Sequence, residues 1–342
     1  MSNSSIEQEI RRIAERVDEF ILSNINGEPL KLYEATLHYI KSGGKRLRPF
    51  LVVKCCELCN GSMDKALPIA SAIEMVHNFT LVHDDIMDND EFRHGVPTVH
   101  RCYGLPYGIL AGDLLLIEAF NTVVKHGKDI GLDGNVITRL IGILAKACKE
   151  LSEGQALDME FAESKVLPEQ EHYIGMINKK TASLFEASCV LGAVTAYADE
   201  PSIAKLASYG RGIGLAFQLI DDLIGVLGDS KVTKKPVGND IREGKKTLPI
   251  LIALKKSNDM QRTKILSILG AKGVEQNDIL YAIDTLTRLG VEKDIRTTAE
   301  SYITDAIKSL EGLSINGDNY NNRVKAKEAL VSLARFIVER SR

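Results

Sequence analysis

Ile73-Glu74-Met75-Val76-His77-Asn78-Phe79-Thr80-Leu81-Val82-His83-Asp84-Asp85-Ile86-Met87-Asp88 is the stretch whose reading decides the fold class of this chain. Its apolar residues recur at intervals of three and four, the period of a helix that buries one face. Asp84 and Asp88 are four residues apart, so the two carboxylates stand one above the other on the same face. Asp85, next door, is turned partly away. Three carboxylates this close repel unless cations neutralise them, and hard oxygen ligands suit Mg²⁺. Taken alone, the cluster reads equally well as a solvated acidic face.

The same helical period extends outward almost everywhere. It starts at Ile6, Ile10, Ile13 and Val17, and further helices are expected over 67–89, 105–126, 135–162, 168–198 and 202–225. Beyond these come 248–257, 261–269, 276–289, 293–310 and 324–340. Alternating β-branched runs and Asn-Gly hairpin signals are nearly absent. Pro49 and Pro68 sit where they would open helices. The expected fold is therefore all-α: a large antiparallel helical bundle around a central cavity, with residues 1–342 forming a single domain. Turns are expected at 127–134 and 317–322. Gly210, Gly212 and Gly214 follow no strand and do not make a dinucleotide fingerprint.

Composition limits what such a bundle can do. Of 342 residues, 44% are hydrophobic and 26% charged, and 43 basic residues against 46 acidic give a net charge of −3. That balance gives no support to nucleic-acid or membrane-surface binding, so an anion site must come from local clustering. The polar start of the chain and the lack of a long uninterrupted apolar run argue against a signal peptide or transmembrane segment, and for a cytoplasmic protein. Cys55, Cys56, Cys59, Cys102, Cys148 and Cys189 read as reduced thiols, because the first three lie in an apolar helical pattern with no metal-ligand partners nearby.

A second acidic pair gives the first its meaning. Asp221 and Asp222 interrupt the apolar run from Leu215 to Leu227, where carboxylates are costly without a partner. Two carboxylate sets bridged by Mg²⁺ make a clamp for a diphosphate, since the metal keeps positions open for phosphate oxygens. Basic residues complete the pattern. Lys45, Arg46 and Arg48 follow a Gly pair just before Pro49, Arg93 follows the first cluster, and Lys180-Thr181 lies on a helix. Lys234, Lys235, Lys245 and Lys246 follow the second cluster. Backbone amides at a helix start, with Lys and Arg side chains, form a phosphate site.

These motifs occur in a distinctive order: 43–49, Glu74 with His77, 84–88, Arg93, then Gly95, Pro97, Thr98 and His100. Gly154-Gln155, Lys180-Thr181, Phe217-Gln218, Asp221-Asp222, Lys235-Pro236, Gly238, Asp240 and Gly244-Lys245 complete the series. In this the sequence strongly resembles the trans-type isoprenyl diphosphate synthases, the polyprenyl synthetase family, and most of all its archaeal-type geranylgeranyl diphosphate synthases. The resemblance implies the isoprenoid synthase fold and a homodimer. It implies that Asp84 and Asp88 hold two Mg²⁺ on an allylic diphosphate and Asp221 a third. Arg93, Lys180 and Lys235 look like contacts to that diphosphate, and Lys45, Arg48 and His77 like the isopentenyl diphosphate pocket. His94 and Lys245 are further expected substrate contacts. Thr181 and Gln218 resemble the polar pair beside the developing carbocation.

The implied reaction joins dimethylallyl, geranyl or farnesyl diphosphate to isopentenyl diphosphate by ionising the allylic C–O bond in a dry cavity. It requires no protein nucleophile, and no Ser/His/Asp or Cys/His arrangement is found. Two positions depart from the family pattern: Gly225 stands where the second motif usually ends in Asp, and His94 where a second arginine is usual. Phe79, five residues before Asp84, and the small Thr80 are expected to set product length, with residues near Ile109 and Leu110 on a facing helix also shaping the floor. This resembles the pattern for a C20 product. C15 or C25 synthases, a non-catalytic regulatory subunit and a class I terpene cyclase are the competing readings.

Overall fold

The computed structural model describes residues 3–93, 95–164, 166–228, 238–315 and 318–339. Helices dominate as expected, and among the described residues the only strands are a two-residue hairpin, β1 (Phe92–Arg93) and β2 (Val96–Pro97), pairing Phe92 with Pro97 and Arg93 with Val96. The chain divides into two compact units. One comprises Met1–Cys148, Leu184–Gly210 and Ser309–Leu333; the other comprises Lys149–Ser183, Arg211–Lys308 and Ala334–Arg342.

The first unit is built on α1 (Asn3–Asn24), α2 (Leu30–Thr36), α3 (His38–Lys41), α4 (Leu47–Leu58) and α5 (Met63–Met87). After the hairpin come α6 (Val99–Tyr103) and α7 (Leu105–Asp129). Ile6, Ile13, Val17 and Ile21 of α1 are fully buried, as the sequence period requires, and α1 packs on α4 and α5. α5 is buried on nearly every side between α4 and α7, which is why it is apolar around most of its circumference. Ser62 caps its start by accepting the Lys65 N–H, and Asn89 ends it in a left-handed conformation with φ 55°. Pro68 does not open this helix. It is the sixth residue, because the Ser62 cap starts the helix earlier. Pro49, in contrast, lies in the first turn of α4.

α7 is the one helix among those described that is long and apolar enough by composition to cross a membrane, with 25 residues. The periodic Asp113 and Glu118 hide this in a search for uninterrupted apolar runs. Its inner residues Ala111, Leu115, Ala119 and Val123 are buried, and α7 packs on α5. Ile109 and Leu110, expected to help shape a product floor, are 44% and 50% exposed. They lie on the opposite face of α7 from its buried stripe.

α8 (Gly134–Glu163) is followed by a departure from the expected continuous helix over 168–198. That segment forms α9 (Gln170–Ile177), a π-helical turn (Asn178–Ala182) and α10 (Ser183–Thr195). Then come α11 (Glu200–Leu227), α12 (Asn239–Glu243), α13 (Leu248–Lys256) and α14 (Asp259–Ile268). The last three are α15 (Gln276–Arg288), α16 (Val291–Glu311) and α17 (Tyr320–Glu339). In the second unit α13 packs on α9, α14 and α15. Asn258 and Gln261 start α14 with a reciprocal capping box.

Candidate active site

Asp84, Asp85 and Asp88 occupy the last turn and C-cap of α5. The C-terminal end of a helix carries partial negative charge, so acids are misplaced there for helix stability alone. Asp85 is fully buried, and its carboxylate accepts from the Tyr39 hydroxyl and from Arg93 Nε at 2.6 Å. Burial and the Asp85 charge push the Tyr39 hydroxyl far above its usual range. Burial works against the Arg93 charge, but the Asp85 carboxylate outweighs it and holds the guanidinium above its ordinary value. The middle aspartate is thus an anchor that fixes the helix end and the hairpin. Asp84, half-buried, and Asp88, exposed, present the motif's outer carboxylates one turn apart.

The basic stretch beside Pro49 is less uniform than its sequence. Arg46 begins α4 from a left-handed conformation, φ 48°, and is buried. Its guanidinium donates to Asp18 at 2.7 Å, Glu74 at 2.9 Å and the Ile40 carbonyl at 3.1 Å. These charge-assisted bonds offset the backbone strain and make Arg46 a buried tie, not a phosphate ligand. Glu74 also accepts from Asn78 at 2.9 Å, so the Glu74-x-x-His77 motif begins with a structural carboxylate. Lys45 is exposed, while Arg48 stacks 4.7 Å from the Phe185 ring with a buried Nε that lacks a hydrogen-bond partner. Burial pushes the Arg48 guanidinium down to about 10, partly opposed by the Glu74 charge. His77 is half-buried on α5.

In the second unit the π-helical turn carries both Lys180 and Thr181. Such turns insert one residue into a helix and are frequent at functional sites. α8 reaches this turn at Gly154, where a Cβ would lie 2.6 Å from Lys180 Cα, too close for any side chain. Lys180 Nζ pairs with Asp158 at 2.5 Å and Lys179 with Glu153 at 2.7 Å. Thr181 donates to Gln218 Oε1 at 2.7 Å, and Gln218 donates to Asp222 Oδ1 at 2.8 Å. The Tyr173 hydroxyl donates to Asp222 Oδ2 at 2.5 Å. Burial, opposed by these two hydrogen bonds and assisted by the charges of Asp240 and Asp221, pushes the Asp222 carboxyl well up. Its partner Tyr173 is pushed up by burial and then by Asp222. Asp221 is exposed while Asp222 is buried, so the adjacent acids have different tasks.

Two sequence-expected residues, His94 and Lys235, lie outside the described residues, as does Lys234. Lys245 pairs with Glu243 at 2.7 Å. Lys246 donates to the Phe161, Ala162 and Ser164 carbonyls at the end of α8, and burial lowers its pKa. It ties down that helix end. Phe79 is half-buried with its ring 4.9 Å from His83, and Thr80 is buried with its hydroxyl donating to the His77 carbonyl at 2.8 Å. No short-range pattern in the sequence marks Tyr39, Tyr173 or Asp158.

Among the described residues, no three His, Cys, Asp or Glu side chains converge to cage a metal alone. Mg²⁺ does not require such a cage, because it commonly takes one or two carboxylates and completes its octahedron with water and substrate phosphate. In each acidic motif one carboxylate, Asp85 in the first and Asp222 in the second, is engaged by a tyrosine hydroxyl.

Helix-borne acids, a π-turn lysine and buried arginines on an all-α scaffold define an enzyme of the isoprenoid synthase fold. The polyprenyl synthetase family model matches residues 29–286. A geranylgeranyl diphosphate synthase of Sulfolobus acidocaldarius is 40% identical over 328 residues, covering 96% of each chain. The crystal structure of geranylgeranyl pyrophosphate synthetase from Pyrococcus horikoshii superposes with a TM-score of 0.89 at 39% identity, covering 98% of both chains. A polyprenyl synthase from Caulobacter crescentus, complexed with calcium and isoprenyl diphosphate, gives a TM-score of 0.86 at 29% identity, covering 100% of this chain and 98% of that one. The chain belongs to the polyprenyl synthetase family and is a trans-isoprenyl diphosphate synthase.

Proposed function

We propose that this enzyme extends an allylic diphosphate with isopentenyl diphosphate to geranylgeranyl diphosphate, C20, as one catalytic domain over residues 1–342. The observation that carries the reading is the division of labour in the first motif. Tyr39 and Arg93 hold the buried Asp85, while Asp84 and Asp88, half-buried and exposed, stand one turn apart at the helix end, which supports their addressing a metal–diphosphate. The family match spans segments of both compact units, which supports a single domain. The Sulfolobus relative's name supports the C20 product.

Mg²⁺ is the proposed cofactor, three ions with substrate bound, and it would draw charge onto the leaving diphosphate. The calcium in the Caulobacter neighbour supports a divalent ion. Asp84 and Asp88 orient the diphosphate, and Arg93, Lys180 and Lys235 neutralise its growing charge. Lys45, Arg48 and His77 receive isopentenyl diphosphate, with His94 and Lys245 as further contacts. The unpartnered buried Nε of Arg48 supports an anionic ligand there. Thr181 and Gln218, hydrogen-bonded to each other, border the allylic cation with oxygen dipoles instead of nucleophiles. Phe79 and Thr80 set the chain length.

The exposed apolar stripe of α7, with Leu110, Ile117 and Val124 each seven residues apart, supports a homodimer. The six free thiols support a cytoplasmic setting. The test is purified enzyme with Mg²⁺, labelled isopentenyl diphosphate and each of the three allylic primers, with products resolved by length. A C20 product is expected. No elongation from any primer would sink the reading, and a C15 or C25 end point would overturn its product.

A further inference from the structure

Gly112 of α7 stands against the ring of His83 on α5. A Cβ built on Gly112 would overlap His83 Nε2 and Cδ2 and lie 3.2 Å from its Cε1, so the imidazole occupies the space that any side chain would need. Gly108, one turn earlier on the same face of α7, receives Ile86 of α5 in the same way, with Ile86 Cδ1 3.0 Å from where its Cβ would stand. The two glycines bring the helices together, and His83 fills the seat at the second. There its Nε2–H donates to the Ile109 carbonyl at 3.2 Å, and the Asp113 carboxylate, 3.8 Å from the same nitrogen, favours the proton on it. Three consecutive features of α7 thus fix one imidazole.

The same ring meets Phe79. Phe79 is four residues earlier on α5, so the two side chains share a helix face. Their ring centroids are 4.9 Å apart with the planes at 70°, the edge-to-face arrangement that aromatic pairs prefer. Among the described residues His83 is the one ring that Phe79 touches. A half-buried phenyl ring keeps one rotamer only when its neighbour is itself fixed.

We infer that His83 is a positioning residue for product length: locked into the seat at Gly112, it holds the Phe79 ring in place. The inference rests on the proposed role of Phe79 in setting chain length. Product length is then decided by the seat on α7 as well as by the bulk of Phe79, and Gly112 is a specificity determinant although it has no side chain.

The test is full-length enzyme with Mg²⁺, labelled isopentenyl diphosphate and the allylic primers, with the product alcohols resolved by length and melting curves to verify folding. Wild type is compared with Phe79→Ala, Gly112→Ala, His83→Ala and the Gly112→Ala/His83→Ala double variant. The readout is the share of product one isoprene unit beyond the wild-type end point, because a merely structural loss lowers the rate without moving that share. Gly112→Ala is expected to raise the share by about tenfold, since the methyl group unseats the imidazole and releases Phe79, and His83→Ala to raise it similarly. The double variant is expected to match His83→Ala to within about twofold, since the methyl then has no ring to displace. Gly112→Ala, a single methyl on a helix, carries the test if His83→Ala fails to fold. A longer product in Phe79→Ala with an unchanged or shorter one in Gly112→Ala overturns the inference alone, as do single effects that multiply in the double variant. An unchanged product in Phe79→Ala overturns the chain-length role of Phe79, and the inference with it.

Discussion

The first acidic motif contains three aspartates in five residues, and their surroundings differ: Asp85 is buried, Asp84 half-buried and Asp88 exposed. Asp85 is a buried anchor for Tyr39 and Arg93, so removing it should unsettle the fold as well as the chemistry. Asp84 is the sharper test. Asp84→Ala is expected to lower kcat about 100-fold or more with little change in melting temperature, and near-normal Mg²⁺-dependent turnover would refute the clamp. Phe79→Ala is expected to lengthen the product past C20, read by chromatography of the dephosphorylated alcohols; an unchanged product removes Phe79 from that role. The thiols give a check on burial. Burial pushes Cys148 up to about 11 and Cys56 up to about 12, so at pH 8 a thiol reagent should react fast with the exposed Cys102 alone. The sign for stability follows. The folded chain keeps these protons while an unfolded thiol loses its proton near 8.5, so their contribution is full below that pH and is lost as pH rises through 11. Melting temperature measured against pH, in wild type and Cys148→Ser, reads this out.

At the scale of elements, the π-helical turn between α9 and α10 decides where the lysine and threonine of the site point. A continuous α-helix is what the sequence period predicts over 168–198, and nothing local marks the extra residue at Asn178–Ala182. What permits it is tertiary: Gly154 on α8 lets the backbone of Lys180 come close, and Asp158, one turn further along α8, receives its ammonium. Gly154→Ala adds only a methyl group and suits a helix better in isolation. It is nonetheless expected to lower kcat by about tenfold to 100-fold while α8 stays helical by circular dichroism, because the methyl pushes on Lys180. An unchanged kcat would mean the turn tolerates displacement. The motif Gly154-Gln155 was legible as a motif, but its purpose was not, since spacing along one helix says nothing about what approaches it from another.

For the whole molecule, α7 combines two properties that composition alone confuses. It is apolar enough to suggest a membrane span, yet it is amphipathic about a buried stripe, with Leu110, Ile117 and Val124 exposed on the other side. In the proposed homodimer a second copy of the chain covers that stripe. Ile117→Lys, a change at a residue 61% exposed, is expected to leave the protomer's helicity intact and shift sedimentation from dimer to monomer. Wild-type protein sedimenting as a monomer would remove the homodimer.

The sequence by itself determined the helical class, because 3.6-residue periodicity is written into the apolar positions, and the family, because its acidic and basic motifs keep their order along the chain. It also determined which aspartates share a face, since that follows from spacing within one helix. Only the tertiary structure decided which charges are tools and which are ties. Arg46 belongs to Asp18 and Glu74, Asp85 to Tyr39, and Asp222 to Tyr173. Those partners lie on different elements, and burial, which sets the cost of leaving a charge unpaired, is a property of packing that no local pattern encodes.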